Sequence, residues 1–326
     1  MAKSDGDIKE SRFNFNATIP AIAVGLTLLL DILIPNHINA KYRTLTDFRN
    51  VLIVSLALTV ILFIVTLFNG SFRRRYAYKA WFIGGLITFF NVLNIVTVKF
   101  LLLPQIYFPS LNRVLHVYIA DHKLLLTCVQ SSFMLFLEGL LVGSILGIVT
   151  GILVGWSKYW NYWVYPIIRI LGPIPSTTWI PLALVIFPTP RWASIFLISF
   201  GVWFQLTILT SSGIQSVKKS YFEVSSTLGA TNLQNLFRIA IPDSLPSIFL
   251  GFFNATCSSF VALIGAEMFG SKSGIGWYIN WQKEMVAYPN VYAGLLIIAV
   301  FCYIFITIQF KVRDKLLGWQ KGVIKW

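Results

Sequence analysis

Long apolar runs, separated by short polar segments, dominate the pattern of hydrophobic and polar positions along this chain. A helix needs about 20 mostly apolar residues to cross the roughly 30 Å of hydrocarbon in a bilayer. Runs of about that size lie at residues 17–35, 51–68, 80–98, 130–155, 163–187, 192–214, 245–265 and 291–310. The pattern therefore predicts an all-α polytopic membrane protein with about eight transmembrane helices.

Two of these runs have features of their own. The run 163–187 contains four prolines, and each removes a helical hydrogen-bond donor. We therefore expect it to be kinked or partly a loop, and to be tolerated only where it packs against protein.

The run 17–35 is either a first transmembrane helix, with Asp31 facing water near its end, or a signal segment.

Composition supports the bilayer as the solvent of the chain and limits its partners. Of the 326 residues, 56% are hydrophobic and 12% are charged, and the mean hydropathy is +0.74, which excludes a disordered or collagen-like chain. The 26 Lys and Arg residues outnumber the 12 Asp and Glu residues. Basic residues are more frequent in the loops that share a side with the two termini, which predicts that both termini are cytoplasmic. Because the excess charge records orientation, nucleic acid is not a predicted partner.

The polar segment at residues 214–243 is too long and too regular to be a simple connection. Its first half has apolar residues at helical spacing, at Tyr221, Val224 and Leu228. Gly229 ends this first helix, because glycine is favoured where a chain turns left-handed after a helix. Thr231 is a predicted N-cap for the helix that follows.

The second half of the same segment predicts another short helix. Its apolar face consists of Leu233, Leu236, Phe237, Ala240 and Ile241. Pro242 and Pro246 are expected to end this helix before the next transmembrane run. We refer to residues 214–243 as the two-helix loop.

The two-helix loop resembles a known sequence motif. Glu223, Val224 and Ser225, followed by Gly229 and then by Ile239–Pro242, have the spacing of the E-A-A, x3, G, x9, I, x, L, P loop of binding-protein-dependent ABC importer permeases. Three further runs, at 172–182, 147–151 and 265–276, resemble the nitrate, sulfonate and taurine subgroup of these permeases. The chain departs from the family at Val224, Ser225 and Ile241, and at Leu135, where the family commonly has arginine.

The resemblance implies an architecture and a set of partners. Residues 104–318 would be a type I ABC importer permease core, preceded by an extension at 1–103 with about three transmembrane helices and followed by a basic cytoplasmic tail at 319–326. The first two helices of the extension are additional to the six usual in the family. The protein would lie in the bacterial inner (plasma) membrane as a homodimer, with two ABC ATPase subunits and an extracytoplasmic solute-binding protein. Its solute would be a small anion such as nitrate, a sulfonate, taurine or bicarbonate.

The resemblance also assigns roles within the two-helix loop, which would couple closure of the ATPase to alternating access. The predicted ATPase-coupling residues are Tyr221, Glu223, Val224, Ser225, Leu228, Gly229, Ala230, Phe237, Ile239 and Pro242. Glu223 would meet a basic group of the ATPase, and Ile239 with Pro242 would anchor the second helix. The alternative is an amphipathic segment lying on the membrane surface. The chain has no G-x-x-x-x-G-K-[ST] motif, so no enzyme activity and no cofactor are predicted for it, and ATP and Mg would be bound by the partner ATPase.

Five residues are candidates for a translocation pathway, namely Glu138, Ser176, Thr177, Trp179 and Glu267. A carboxylate within a transmembrane run usually faces a cavity or a partner, but Glu138 could also be interfacial because its run is long. Glu267 could line the pathway or anchor a helix end. Metal ligands are not predicted, because His37, His116 and His122 lack the spacing of a metal site.

Two further questions stay open at the level of the sequence. An ion-gradient-driven secondary transporter and a membrane-embedded enzyme are the alternative functions. Glycines at 139, 143, 147 and 151 predict a close helix contact. That contact could lie within one chain or between two copies.

Overall fold

A computed structural model describes residues 15–34, 48–68 and 70–320, and within these ranges the chain is helical and has no strand. Seven helices are long and apolar enough to span a membrane: Phe15–Leu33, Phe48–Phe68, Tyr76–Lys99, His122–Trp156, Pro190–Gln215, Asn232–Gly270 and Tyr288–Leu316. The bent pair Lys158–Leu171 and Ser176–Ile186 supplies an eighth if it is one span. The predicted all-α membrane fold is thereby confirmed. His37 and most of the predicted basic tail lie outside the described residues.

The chain divides into two compact units. The first consists of residues up to Asp121 together with Val286–Ala293, and the second of His122–Met285 together with the residues from Gly294 onward. This division does not test where the predicted permease core begins, so the boundary at residue 104 stays a prediction.

The first unit holds the helices that precede the glycine-rich run. They are α1 (Ile19–Leu33), α2 (Phe48–Phe68), α3 (Gly70–Asn94) and α4 (Leu111–Ala120), with a π-helical turn at Ile95–Lys99. Helix α1 packs closely against α3, because a Cβ atom at Gly84 would lie 2.7 Å from the Cγ2 atom of Ile19.

A buried ion pair joins α1 to the end of α3, and it corrects the expectation that Asp31 faces water. The Lys99 ammonium lies 2.7 Å from a carboxylate oxygen of Asp31, and the two side chains are 2% and 11% exposed. The same ammonium donates hydrogen bonds to the backbone carbonyls of Asp31 and Ile34, at 3.0 and 2.7 Å. Asp31 avoids water because Lys99, 68 residues later in the chain, supplies its counter-charge within a mostly apolar unit.

The second unit holds the remaining helices. They are α5 (His122–Trp156), α6 (Lys158–Leu171), α7 (Ile180–Ile186), α8 (Pro190–Gln215), α9 (Lys219–Thr227), α10 (Asn232–Asn235), α11 (Ile241–Gly270), α12 (Ile275–Glu284) and α13 (Tyr288–Leu316). Helix α13 begins in the first unit and belongs to the second from Gly294 onward.

Helices α5 and α8 run parallel along a seam of glycines. Cβ atoms placed at Gly139, Gly143 and Gly147 would lie within 2.5 to 2.7 Å of atoms of α8, and Gly151 and Gly155 continue the series. The nearest side chains on α8 also advance four residues at a time, from Ile198 through Val202, Leu206 and Thr210 to Ile214. Any side chain larger than hydrogen would push the two helices apart. The seam therefore answers one open question, because the glycine stripe is used within the chain.

Aromatic side chains fill the space beside this seam. The Phe136 ring stacks on the Phe260 ring with centroids 4.5 Å apart, and the Phe305 ring meets Phe136 edge-on at 4.8 Å. Phe136 is fully buried. Helices α5, α11 and α13 thus share one apolar core in the second unit.

The proline-rich run 163–187 is broken, as its sequence predicts. Helix α6 ends at Leu171, a short 3-10 turn occupies Ser176–Trp179, and α7 follows from Ile180. The two halves meet at an angle of 86°. Pro173 and Pro175 lie in the break, where the chain needs no helical donors from them.

The second helix of the two-helix loop does not stop at Pro242 and Pro246, contrary to the sequence-based expectation. Helix α10 passes through a π-helical turn at Leu236–Ala240 directly into α11, in which Pro242 lies in the first turn and Pro246 lies inside. In the π turn the Ile241 N–H donates to the Leu236 carbonyl five residues back. This wider turn lets the helix continue past a proline that could not donate an ordinary helical hydrogen bond.

Candidate functional site

The two-helix loop packs firmly onto the ends of α5 and α8. Ile214, Leu236 and Ala240 form a small buried cluster there. The ring of Phe222 on α9 meets the indole of Trp156 edge-on, with centroids 5.8 Å apart. The loop is therefore attached to the long helices by apolar contacts that resist bending.

A polar contact between its two halves fixes the internal shape of the loop. The buried hydroxyl of Ser225 on α9 lies 2.8 Å from the side-chain oxygen of Asn235 on α10, to which it donates a hydrogen bond. The Ala230 N–H donates to the Ser225 carbonyl at 3.0 Å and closes the turn after α9. Ser225, one of the predicted ATPase-coupling residues, thus lies inside the loop and not on its surface.

The turn between the two helices has the backbone that the sequence predicts. Gly229 has a φ angle of +80°, which is left-handed and strained for any other residue, and a Cβ atom there would meet nothing within 4 Å. Thr231 is the N-cap of α10, and its side chain and that of Gln234 form a reciprocal capping box. The predicted glycine turn and N-cap are therefore present.

The outer surface of the two-helix loop is apolar and uncovered. Four large side chains point away from the chain, namely Val224, Leu228, Leu233 and Phe237, with exposed fractions between 61% and 83%. Tyr221 is also exposed, whereas Ile239 and Pro242 are partly buried. Glu223 lies exposed on the same helix, and no described residue pairs with it.

The pathway candidates Ser176, Thr177 and Trp179 form the 3-10 turn between α6 and α7. Ser176 lines a cavity of about 190 Å³, and the other polar residues of that cavity are Gln205 on α8 and Ser258 on α11. Thr177 contacts α11, because a Cβ atom at Gly265 would lie 3.2 Å from its methyl group. The indole N–H of Trp179 is buried and has no hydrogen-bond partner within the described chain.

Glu138 lies beside the first turn of α8 and not in the middle of the bundle. Both of its carboxylate oxygens accept hydrogen bonds from the Arg191 guanidinium. Both side chains are well exposed, at 39% and 64%. The pair ties α5 to the start of α8, which favours the interfacial alternative, and the pathway role stays an untested prediction.

Glu267 is buried at the end of α11 and holds the start of α12. Its carboxylate accepts a hydrogen bond of 2.6 Å from the Ser132 hydroxyl and one of 2.8 Å from the Gly276 N–H. Gly274 precedes α12 with a φ angle of +121°, and a Cβ atom there would lie 2.3 Å from the Glu267 carboxylate. A carboxylate at a helix N-terminus is favourable because the first N–H groups lack helical partners. This geometry is that of the helix-end anchor, the second of the two roles expected for Glu267.

Two residues of the cavity were missed at the level of the sequence, namely Gln205 and Ser258. Each lies in an apolar run on a different helix, and they approach each other only through the packing of α8 against α11. The neutral amide of Gln205, within a mostly apolar run, is the signal that could have identified this region.

Comparison with known proteins places the second unit in a family of transport proteins. The family described as "Binding-protein-dependent transport system inner membrane component" matches residues 143–317. That range includes the α5–α8 seam from Gly143 onward, the broken run and the two-helix loop.

Individual relatives agree with the family match. The putative aliphatic sulfonates transport permease protein SsuC of Bacillus subtilis is 31% identical over 184 residues, which are 56% of this chain and 67% of that protein. The bicarbonate transport system permease protein CmpB of Synechococcus elongatus is 32% identical over 190 residues, which are 58% of this chain and 66% of that protein. In both cases the matched region spans about two thirds of the relative's length.

A solved structure has a similar fold. One chain of the MetNI methionine ABC transporter, in an inward-facing conformation, aligns with a TM-score of 0.52 and 17% identity. The alignment covers 60% of this chain and 98% of that chain. At this identity the likeness shows the fold alone, and it includes nearly the whole of the solved chain.

Proposed function

This chain belongs to the family of binding-protein-dependent transport system inner membrane components, and from that premise we propose that it is the permease subunit of an ATP-driven importer for a small anion. It supplies the membrane pathway and leaves ATP hydrolysis to a separate ABC ATPase subunit, which binds the ATP and Mg. An extracytoplasmic solute-binding protein delivers the solute, and two copies of the chain line one pathway. The secondary-transporter alternative has no support, because the family and the relatives above are ABC transport components.

The observation that carries this proposal is the form of the two-helix loop. It is rigid inside, where Ser225 contacts Asn235, and apolar outside, where Val224, Leu228 and Phe237 are exposed. A rigid support with an exposed apolar surface suits a protein interface, because burying that surface stabilises a complex by about 25 cal/mol per Å² before the costs of association. The Glu223 carboxylate pairs with no residue that the structure describes, and it offers a charge for a basic group on the ATPase.

Movement passes from the loop to the membrane helices through rigid connections. Helix α10 continues into α11 without a break, and the cluster of Ile214, Leu236 and Ala240 joins the loop to α8. The glycine seam binds α8 to α5. A displacement of the loop by closure of the ATPase would therefore move α5, α8 and α11 together and open the pathway on alternate sides.

The proposed orientation places the two-helix loop and both termini in the cytoplasm of a bacterial cell, with the protein in the inner membrane. The parallel course of α5 and α8 requires the broken segment α6–α7 to return the chain across the bilayer between them, which gives an even number of spans. The cytoplasmic side is proposed from the distribution of basic residues. The pair of Glu138 and Arg191 would lie near the outer face, at the opposite end of α8 from the two-helix loop.

The solute class rests on the named relatives. SsuC is named for aliphatic sulfonates and CmpB for bicarbonate, and both of these solutes are small anions. We extend the same class to this chain, with nitrate and taurine as further candidates.

Co-purification tests this function. A tagged copy of the chain, extracted in mild detergent from cells that express it, should recover an ABC ATPase in equal molar amounts, as measured by quantitative gel staining and mass spectrometry. The recovered complex should hydrolyse ATP. An active transporter that contains no ATPase would contradict the proposal.

A further inference from the structure

Arg169 is the one Lys or Arg residue in the broken run 163–187, and the proposed coupling to the ATPase gives it no role. Arg169 lies in the last turn of α6, two residues before the break, and its side chain is exposed. It lines a cavity of about 380 Å³ together with Phe204 and Ile208 of α8. Phe204 lies near the middle of α8, which spans Pro190–Gln215, and Ile208 lies about one turn nearer its C-terminal end. Since α8 is long and apolar enough to span a membrane, we infer that Arg169 lies within the depth of the bilayer.

The charge of Arg169 is not neutralised within the part of the chain that the structure describes. No carboxylate lies within ion-pair distance of the guanidinium, and no carbonyl accepts a hydrogen bond from it. The dipole of α6 favours a cation at its C-terminus, but this contributes only about 0.3 to 1 kcal/mol. A guanidinium at this depth costs several times as much unless an anion or water accompanies it, and such residues commonly mark solute pathways.

A second cavity continues from the first on the other side of one aromatic ring. Phe204 lines both cavities, and its ring lies so close to Gly172 that a Cβ atom there would be 1.8 Å from the ring. Beyond the ring, Ser176, Gln205 and Ser258 line the cavity of about 190 Å³. None of these three side chains has a hydrogen-bond partner within the described residues, so each is available to a polar ligand.

We propose that the Arg169 guanidinium is a binding subsite for the transported anion, and that the neutral side chains of Ser176, Gln205 and Ser258 form the next station along the same path. The inference rests on the proposed importer function and names the residues that select the solute within the membrane. Guanidinium suits this task because its planar N–H groups match the oxygens of nitrate, bicarbonate, sulfonates and carboxylates in pairs. Neutral hydroxyl and amide groups then hold the anion without trapping it, which favours onward movement.

Transport by the whole complex tests the subsite. The permease, its ATPase and its binding protein are reconstituted in proteoliposomes, and import of nitrate, bicarbonate, taurine and ethanesulfonate is measured. Wild-type protein should import at least one of these four solutes, each of which carries an anionic group; in taurine that group is the sulfonate of a zwitterion. Arg169→Gln should lower import of that solute by about tenfold or more, since it removes a hydrogen bond assisted by charge. Arg169→Lys should be intermediate, because the charge remains but the paired donors do not.

Two controls separate a binding role from a structural one. Arg191→Gln removes an equal charge from the start of α8 and should import as wild type does. For Arg169→Gln, ATP hydrolysis stimulated by the binding protein and the size of the complex on gel filtration should stay as in wild type.

The contradicting results differ from those that would defeat the importer function. Three results would each overturn the subsite. The first is import at the wild-type rate by Arg169→Gln, and the second is disassembly of the complex in that variant. The third is a wild-type complex that hydrolyses ATP but imports none of the four solutes. Failure of the wild-type chain to bind any ATPase would instead defeat the proposed function itself.

Discussion

Helix α5 and the α6–α7 break both contact α8, but different residue types lie at the two contacts. Along the seam, glycine at every fourth position of α5 lets the backbones touch, and no space remains for a side chain. At the break, Pro173 and Pro175 interrupt the helix, and cavities of about 190 and 380 Å³ lie beside α8. The contact of α8 with α5 is therefore closely packed, whereas its contact with the break leaves cavities.

Under the proposed function, this difference would separate the part that transmits force from the part that handles solute. A closely packed contact moves as one body, because interiors at this density deform little. A broken helix that lines cavities has fewer packed contacts to lose when it moves. Both features meet on α8, whose C-terminal end leads directly to the two-helix loop.

The largest effect is expected from filling the seam. Gly143→Leu places a side chain where a Cβ atom would already lie 2.6 Å from the Ser199 carbonyl oxygen and from Val202. We expect loss of folded protein, measured as the monodisperse yield after extraction in mild detergent. Gly143→Ala should lower the free energy of unfolding by about 1 to 3 kcal/mol. The matched control is Gly85→Leu on α3, where a Cβ atom meets nothing within 4 Å. Equal yields for the two leucine variants would contradict a close seam.

The next effect concerns the turn of the two-helix loop. Gly229→Arg should leave the protein inserted and folded, because there is space for a side chain, but should remove most solute uptake by disturbing the ATPase interface. Gly229→Ala imposes the same backbone strain, about 1 kcal/mol, without the bulk. Uptake should therefore fall far less in the alanine variant. Wild-type uptake by Gly229→Arg would show that this surface is not the coupling interface.

A moderate effect is expected at the buried carboxylate. Glu267→Gln keeps the shape of the side chain but cannot accept hydrogen bonds with both ends, so either the Ser132 hydroxyl or the Gly276 N–H loses its partner. The expected cost is about 1 to 3 kcal/mol of stability, measured as a lower thermal midpoint in detergent. Glu284→Gln on the exposed side of α12 is the control and should change the midpoint little. An unchanged midpoint for Glu267→Gln would argue against the anchoring role.

The smallest effect is expected at the exposed ion pair. Glu138→Gln removes a contact with Arg191 that is open to solvent, and such pairs are worth about 0 to 1 kcal/mol. Both stability and the rate of import should stay close to wild type. A large loss of import with unchanged stability would restore Glu138 to the pathway.

The sequence was sufficient for the features that depend on local chemistry. Apolar runs predict membrane helices because the bilayer requires them, and the four prolines of 163–187 predict a break because each lacks a donor. Gly229 and Thr231 predict the turn and the cap of the two-helix loop for equally local reasons.

Features that depend on distant partners could not be predicted in the same way. The glycine stripe indicates a close contact but does not name α8 as its partner, and Asp31 gives no sign of the lysine that neutralises it. Pro242 looked like a helix end because a π turn that absorbs it leaves no simple sequence pattern. The polar cavity depends on Gln205 and Ser258, which only tertiary packing brings together.

Site-specific photo-cross-linking from the two-helix loop tests the central claim most directly. A photoreactive amino acid at Leu228, which is 83% exposed on the loop, is compared in intact cells with one at Phe269, which is 71% exposed at the opposite end of α11. We expect Leu228 to form a covalent product with an ABC ATPase subunit and Phe269 to form none with it. A product with the ATPase from Phe269, or none from Leu228, would contradict the account of the two-helix loop as the surface on which the ATPase acts.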